Sequence, residues 1–328
     1  MLEPEQSITS AKRYIGDGKT QWQIADQTHT PISVRGLILS RLKAAAETFL
    51  GEPVQEAVIT VPAYFNNNQK RDTKLVGETA GLRVLQLLPE PTAAAISYGL
   101  DMGKDQTLLV YDLGGTFDVS ILKVKGNQFQ VVAVDGDFHL GGDDFDLLLV
   151  EYLIGRLQQR TQSDLSILKQ LLGGKFRSTE LGTPREMLVA RQQLKEAAEQ
   201  VKIELSQSQT TQIAIPNILG TSLDETISLD TYNSLIAPLV ERTPTKIRDV
   251  LKAARLSADD IDRVLLLGGS TRNRLVRQRV AEQQFQIRHY MGVSAFLIEI
   301  GFNKLGLFYR LDKSEEVCII EKRLGNVD

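Results

Sequence analysis

Residues 107–122 read T-L-L-V-Y-D-L-G-G-T-F-D-V-S-I-L, and this string decides the fold class. Thr107 to Tyr111 is an apolar, strand-forming run that enters Asp112-Leu113-Gly114-Gly115-Thr116-Phe117-Asp118, after which alternation resumes through Val119, Ile121 and Val124. The pattern predicts two antiparallel strands about a glycine turn, and Gly126-Asn127 then turns the chain into a third strand over 128–134. The glycines allow backbone N–H groups to approach an anion closely, and the flanking carboxylates of Asp112 and Asp118 can hold a metal directly or through water. A metal-bound phosphate suits such a turn; a plain turn with two solvated aspartates is the alternative.

On the N-terminal side, strand, loop and helix are written twice. An amphipathic helix over 32–49 (Val34, Leu37, Ile38, Leu42, Ala45, Phe49) is stopped by Gly51 and Pro53. Ala57 to Val61 is a buried strand, and after Pro62 the cluster Asn66-Asn67-Asn68 caps a helix running to about Ala80. Arg83 to Leu88 is a second strand, followed by Pro89-Glu90-Pro91-Thr92 and a helix over 93–98 that ends at Gly99. Tyr64 and Phe65 are expected to pack rather than to contact a ligand.

On the C-terminal side a helix is expected over 145–157, a polar linker or insertion over 162–184, a helix over 185–205 and one or more helices over 227–256. A strand at 263–267 then enters Gly268-Gly269-Ser270-Thr271 and a helix to about 284, where helix-terminal N–H groups favour an anion. Gly141-Gly142-Asp143-Asp144 has similar composition, and either string can equally be a tight turn. Glu199, Lys202 and Ser206, spaced i, i+3 and i+7, share one helix face that either lines a polar ligand or forms a solvated stripe. Hairpins together with strand–helix units give an α/β architecture with a mixed sheet.

The 328 residues are 42% hydrophobic and 24% charged, enough for about two domains and against disordered or disulfide-scaffold classes. A net charge of −3 implies no nucleic-acid or anionic-membrane partner. The longest apolar runs fall short of the roughly 18 residues of a membrane span. The N-terminal M-L-E-P-E-Q-S lacks a secretory pattern, and a single cysteine, Cys318, suits a reducing, cytoplasmic setting. His29, His139 and His289 show no metal-ligand spacing, and no Ser-His-Asp order can be assembled. Lys12 and Glu90 carry no local signature; read alone they are a surface lysine and a loop glutamate.

Taken in order, six strings resemble the nucleotide-binding domain of the 70-kDa heat-shock chaperones of the DnaK type. They are V-I-T-V-P-A-Y-F (58–65), P-E-P-T-A-A-A-I-S-Y-G-L-D (89–101), Y-D-L-G-G-T-F-D-V-S-I-L (111–122), H-L-G-G-D-D-F-D (139–146), L-K-E-A-A-E-Q-V-K-I-E-L-S (194–206) and L-L-L-G-G-S-T-R (265–272). The resemblance implies an actin-like and hexokinase-like ATPase fold, two lobes of mixed sheet plus helices around a cleft for ATP or ADP with Mg²⁺ and K⁺. By matching position, Lys12 looks like the lysine that orients the attacking water, and Glu90 and Asp112 like the carboxylates around metal and water. Thr116 looks like the threonine beside the γ-phosphate, and Asp118 like a second ion-binding aspartate. Gly114, Gly115, Gly141, Gly142, Gly268, Gly269, Ser270 and Arg272 look like phosphate and adenosine contacts, with Glu199, Lys202 and Ser206 as an adenosine-binding face. Pro62 looks like the switch proline, with Lys70 in place of the switch arginine. The resemblance implies J-domain cochaperones and nucleotide exchange factors as partners; a sugar kinase of the same superfold is disfavoured by T-V-P-A-Y-F and E-P-T-A-A-A-I.

Several departures set further expectations. The family's opening strand and phosphate-gripping hairpin have no counterpart here, so the first lobe, taken as 1–104, is expected to be incomplete and to leave a sheet edge exposed. Two glycines stand where the family has three, which is expected to shift Thr116 and Asp118 relative to Asp112. The second lobe is taken as 105–284, followed by a divergent tail over 285–328 and no peptide-binding domain. Loss of similarity at both ends reads as truncation or a frameshift, with hydrolysis impaired. A catalytically inactive remnant or cochaperone-binding decoy is the alternative function.

Overall fold

The structure, a computed structural model, describes residues 8, 10–24, 26–98, 104–126, 128–161, 165–172, 185–283, 290–293, 298–302 and 305–308. A 3₁₀ turn, Ala11–Tyr14, precedes a small hairpin of β1 (Trp22–Ile24) and β2 (Gln27–His29). Helix α1 (Pro31–Leu50) starts where Thr30 and Ser33 exchange side-chain and backbone hydrogen bonds, with proline at its first position, and stops at Gly51 in a left-handed conformation, φ 72°. Strand β3 (Glu56–Val61), helix α2 (Asn67–Thr79), strand β4 (Arg83–Pro89) and helix α3 (Glu90–Ser97) complete the first half. Asn66 caps α2 through a reciprocal bond pair with Gln69, as the asparagine cluster predicts. Gly99, expected to end α3, lies outside the described residues.

The second half opens with the meander β5 (Gln106–Leu113), β6 (Phe117–Lys125) and β7 (Gln128–Asp137). Helices α4 (Gly142–Thr161), α5 (Ser166–Leu172) and α6 (Arg185–Leu205) follow, then a hairpin of β8 (Thr210–Ile218) and β9 (Thr221–Ser228). Helices α7 (Leu229–Val240) and α8 (Thr243–Ala254), strand β10 (Arg263–Leu267) and helix α9 (Arg274–Ala281) lead to β11 (Tyr290–Val293), β12 (Ile298–Phe302) and β13 (Leu305–Phe308).

Two mixed sheets organise the chain. One has the order β11-β10-β5-β6-β7, with β10 parallel to both β5 and β11 and the meander antiparallel. The other has the order β13-β12-β3-β4, with β3 and β4 parallel. Alternate residues of β5 go to opposite faces of its sheet: Leu109, Tyr111 and Leu113 join Phe117, Phe145, Leu149 and Leu153 in the largest core, under α4 and α6 to α8. Leu108 and Val110 pack instead with Ala94 and Ala95 of α3, Leu122, Leu265 and Leu267. A separate core of Ile15, Leu39, Ala57, Ile59, Phe65 and Val76 lies where α1 and α2 cover β3. No helix among the described residues is long and apolar enough to cross a membrane.

Two expectations are corrected and an open point is filled in. The segment taken as a linker contains α5, whose Leu168, Leu171 and Leu172, with Leu165 before it, are buried in the largest core; its polar flanks at 162–164 and 173–184 lie outside the described residues. The expected open sheet edge is occupied, since β12 pairs antiparallel with β3, and β11 likewise lies beside β10. The tail, whose structure the sequence leaves open, supplies strands β11 to β13; its residues 309–328, including Cys318, lie outside the described residues. The hairpin β8–β9 was not anticipated, although Thr211, Ile213 and Ile215 are buried in strict alternation with exposed neighbours.

Candidate functional site: a carboxylate cluster beside interlocked glycine loops

The β5–β6 turn sets the first half of the site. Asp112 pairs with Asp118 and Leu113 with Phe117, so residues 114–116 close the hairpin and the two aspartates stand opposite each other on one face of the sheet. In this chain the two-glycine turn thus leaves Asp112 and Asp118 as direct partners across the hairpin. The Gly114 N–H donates to the Thr116 carbonyl at 3.1 Å, and the Thr116 hydroxyl donates to Asp118 at 3.3 Å. Glu90, the first residue of α3, is buried and accepts from Lys12 Nζ at 3.2 Å. A cavity of about 310 Å³ brings these groups together: Lys12, Glu90, Asp112, Gly114, Gly115, Thr116 and Asp118 all line it.

Charge in this cavity is unbalanced towards the negative. Burial, then repulsion by Glu90, pushes the Asp112 carboxyl up to about 7 against the opposing pull of Lys12. Burial, then Glu90 and Asp112, also raises Asp118 well above the ordinary carboxylate range. Asp118 Oδ1 is buried and meets no hydrogen-bond donor. An orphaned carboxylate oxygen among like charges fits a cation. Among the described residues no three His, Cys, Asp or Glu side chains are grouped closely enough to chelate a metal ion. The oxygen donors of Asp112 and Asp118 suit a hard ion such as Mg²⁺.

The other predicted glycines stand behind this cavity. The Gly142 N–H donates to the Gly114 carbonyl at 2.8 Å. A Cβ on Gly141 would collide with the Gly115 carbonyl, and one on Gly268, at φ 81°, with the Leu113 carbonyl. Close backbone approach between three loops is thus one reason for these glycines, and the Gly142 N–H is committed within the protein rather than presented to an anion. The Gly142 α-carbon faces Ser270 Oγ and Lys202 Nζ, so the 268–270 loop and α6 meet here. Gly269 is exposed and open on its Cβ side, and Arg272 is exposed.

The three residues of the adenosine face expected on α6 have different surroundings. Lys202 turns inward to Asp146 Oδ2 at 2.6 Å and the Gly142 carbonyl at 3.3 Å, while Glu199 is exposed. Ser206 lies past the end of α6 and donates its hydroxyl to the Ile203 carbonyl at 2.6 Å. The regular helix ends at Leu205, one residue before Ser206. Burial raises the Asp146 carboxyl to about 6, opposed by the charge and hydrogen bond of Lys202. Pro62 is buried between β3 and α2 and borders a narrow cleft with Glu90, Asp112 and Asp118, whereas Lys70 is exposed on α2 and lines no part of it.

Contacts of three residues near the site escaped the sequence reading. The Tyr64 hydroxyl, expected only to pack, approaches Asp118 at 3.5 Å, and burial followed by the charges of Asp118 and Glu90 raises its pKa. Arg13 forks onto Asp144 at 2.7 and 3.3 Å and reaches the Gly115 carbonyl at 2.6 Å. Ser10 donates to Asp143. Only the adjacency of Arg13 to Lys12 and the acidic pair after Gly142 marked these in sequence. A family model described as Hsp70 protein matches residues 5–289 of the 328. With its paired mixed sheets and carboxylate-lined cleft, the chain belongs to the Hsp70 family and is a chaperone-type, ATP-binding domain with the actin-like ATPase fold.

Proposed function

We propose that the chain is a DnaK-type ATPase domain that hydrolyses ATP in the cavity lined by Lys12, Glu90, Asp112 and Asp118. The observation that carries this reading is the convergence, in one water-accessible cavity, of an ammonium group, three carboxylates and the Thr116 hydroxyl. In this assignment Asp112 and Asp118 would hold Mg²⁺, Lys12 and Glu90 would orient the attacking water, and Thr116 would contact the terminal phosphate. Bound Mg²⁺ supplies charge neutralisation on the phosphates. Gly115, Gly141, Gly142, Gly268, Ser270 and Lys202 frame the rear of the nucleotide site, with Glu199, Ser206, Gly269 and Arg272 at its outer rim. Pro62 and Lys70 are assigned to signalling of the nucleotide state towards J-domain and exchange-factor partners. The proposed lobes are 1–104 and 105–284, followed by a tail.

The test is calorimetry with Mg·ATP combined with single-turnover hydrolysis on the wild type and Lys12→Ala. Saturable binding is expected in both, with the variant slowed about a hundredfold or more at the chemical step and its affinity within about threefold. Equal turnover in the two proteins rules out the role given to Lys12. A second reading, a non-hydrolysing domain that acts through surfaces bound by cochaperones, is favoured by one observation: the Gly142 N–H is already engaged by the Gly114 carbonyl. Absence of nucleotide binding by a folded chain would select it.

A further inference from the structure

The 3₁₀ turn Ala11–Tyr14 belongs to no sheet or long helix, yet it carries Lys12 into the cavity. In a 3₁₀ turn successive side chains diverge by about 120°. Lys12 accordingly goes to Glu90 at the start of α3, and Arg13 to Asp144 in the first turn of α4 and to Gly115 in the β5–β6 turn. Ser10, just before the turn, adds a bond to Asp143. It sits in the left-handed region at φ 57°, ψ 31°, a conformation that a non-glycine residue keeps only when its surroundings hold it there. Ala11 and Ile15 are buried, and Ile15 lies in the α1–α2 core. Four residues therefore span the cleft, rooted by apolar contacts on one side and by polar contacts on the other.

We propose that Arg13 is a positioning residue: by forking onto Asp144 and the Gly115 carbonyl it bolts the Lys12-bearing turn to the phosphate-side loops and so fixes the Lys12 ammonium over the carboxylate cluster. The proposal rests on the ATPase reading for its kinetic consequence, though not for its geometry. Exposed ion pairs commonly contribute little. This one is different in kind, because the side chains of Arg13 and Asp144 are only 17% and 16% exposed and two N–H groups meet both carboxylate oxygens. Burial works against the Arg13 charge, but the hydrogen bond and charge of Asp144 outweigh it and hold the guanidinium pKa above its ordinary value. A lysine at this position could not reproduce the fork.

Competitive acylation of lysines in the full chain, with exposed Lys70 as internal reference, reads the position of Lys12 without any need for turnover. Arg13→Gln and Asp144→Asn, which cut the bolt from opposite sides, are each expected to raise the relative labelling rate of Lys12 about fivefold, with Arg13→Lys intermediate. In hydrolysis, each variant is expected to lose about tenfold in kcat with the nucleotide dissociation constant changed less than about threefold, and the double variant to be no worse than Arg13→Gln alone. Unchanged labelling in both single variants, or fully additive kinetic losses, overturns the proposal. Labelling that responds in a wild type without ATPase activity would retain the bolt and remove only the ATPase reading. Circular dichroism and melting of each variant separate release of the turn from global unfolding.

Discussion

Replacing Asp112 by asparagine should stabilise the nucleotide- and metal-free protein at neutral pH. In the folded chain the Asp112 carboxyl is raised from 3.8 to about 7, chiefly by burial and then by Glu90. A raised folded pKa means that the native state binds the proton more tightly than the unfolded chain does. Its stability contribution is thus complete below the unfolded pKa and is lost as pH rises through the folded one. At about 1.4 kcal/mol per pKa unit, the ionised group costs about 4 kcal/mol at pH 7.5, of which about 2 kcal/mol is recovered at pH 5.5. For a chain of this size that recovery corresponds to about 3 °C in Tm. The assay is thermal denaturation of wild type and Asp112→Asn at both pH values in the presence of chelator, then with Mg²⁺. The wild type should melt higher at pH 5.5, to which Asp118 and Asp146, also raised, contribute in the same direction. The discriminating quantity is therefore the variant's smaller pH slope and higher Tm at pH 7.5. Mg²⁺ should stabilise the wild type more than the variant. A variant less stable than wild type at pH 7.5 with an unchanged pH slope would refute the electrostatic argument.

Other perturbations address the rear of the site. Gly141→Ala should cost about 1–3 kcal/mol by forcing backbone from backbone at Gly115, and should weaken Mg·ATP binding by about tenfold; chemical denaturation and calorimetry check both. The control Gly155→Ala, with open space around its α-carbon inside α4, should instead stabilise by up to about 1 kcal/mol. Asp146→Asn should release Lys202 and lower nucleotide affinity at pH 7.5 severalfold; because the Asp146 carboxyl titrates near 6, wild-type affinity should fall towards that of the variant at pH 5. Identical titrations of the two proteins at pH 7.5 would remove Asp146 from the site.

The parts of the fold that sequence revealed are those fixed locally. The β5–β6 turn announces itself because apolar alternation on both sides brackets two glycines, α1 through its apolar spacing and the Gly51 stop, and α2 through the cap that the structure reproduces at Asn66. What escaped depends on contacts between distant positions. Lys12 and Glu90 are separated by 78 residues and Arg13 and Asp144 by 131, so no spacing rule can pair them, and only family resemblance placed Lys12 near the chemistry at all. Helix α5 was hidden because its apolar stripe is short and set in polar sequence. The inward pairing of Lys202 with Asp146, 56 residues away, escaped helical spacing in the same way.

The two arms of the Lys12–Glu90 pair are anchored unequally. Glu90 opens a helix whose Ala94 and Ala95 are sealed against the central sheet, whereas Lys12 rides on a single turn held by two small apolar anchors and side-chain bonds. Amide exchange should accordingly form a steep gradient, with residues 11–15 exchanging through low-energy local opening and β5 only through global unfolding. Ammonium and carboxylate can then part while both cores remain intact, so the domain has a dismantled, non-reactive state available well below its denaturation threshold.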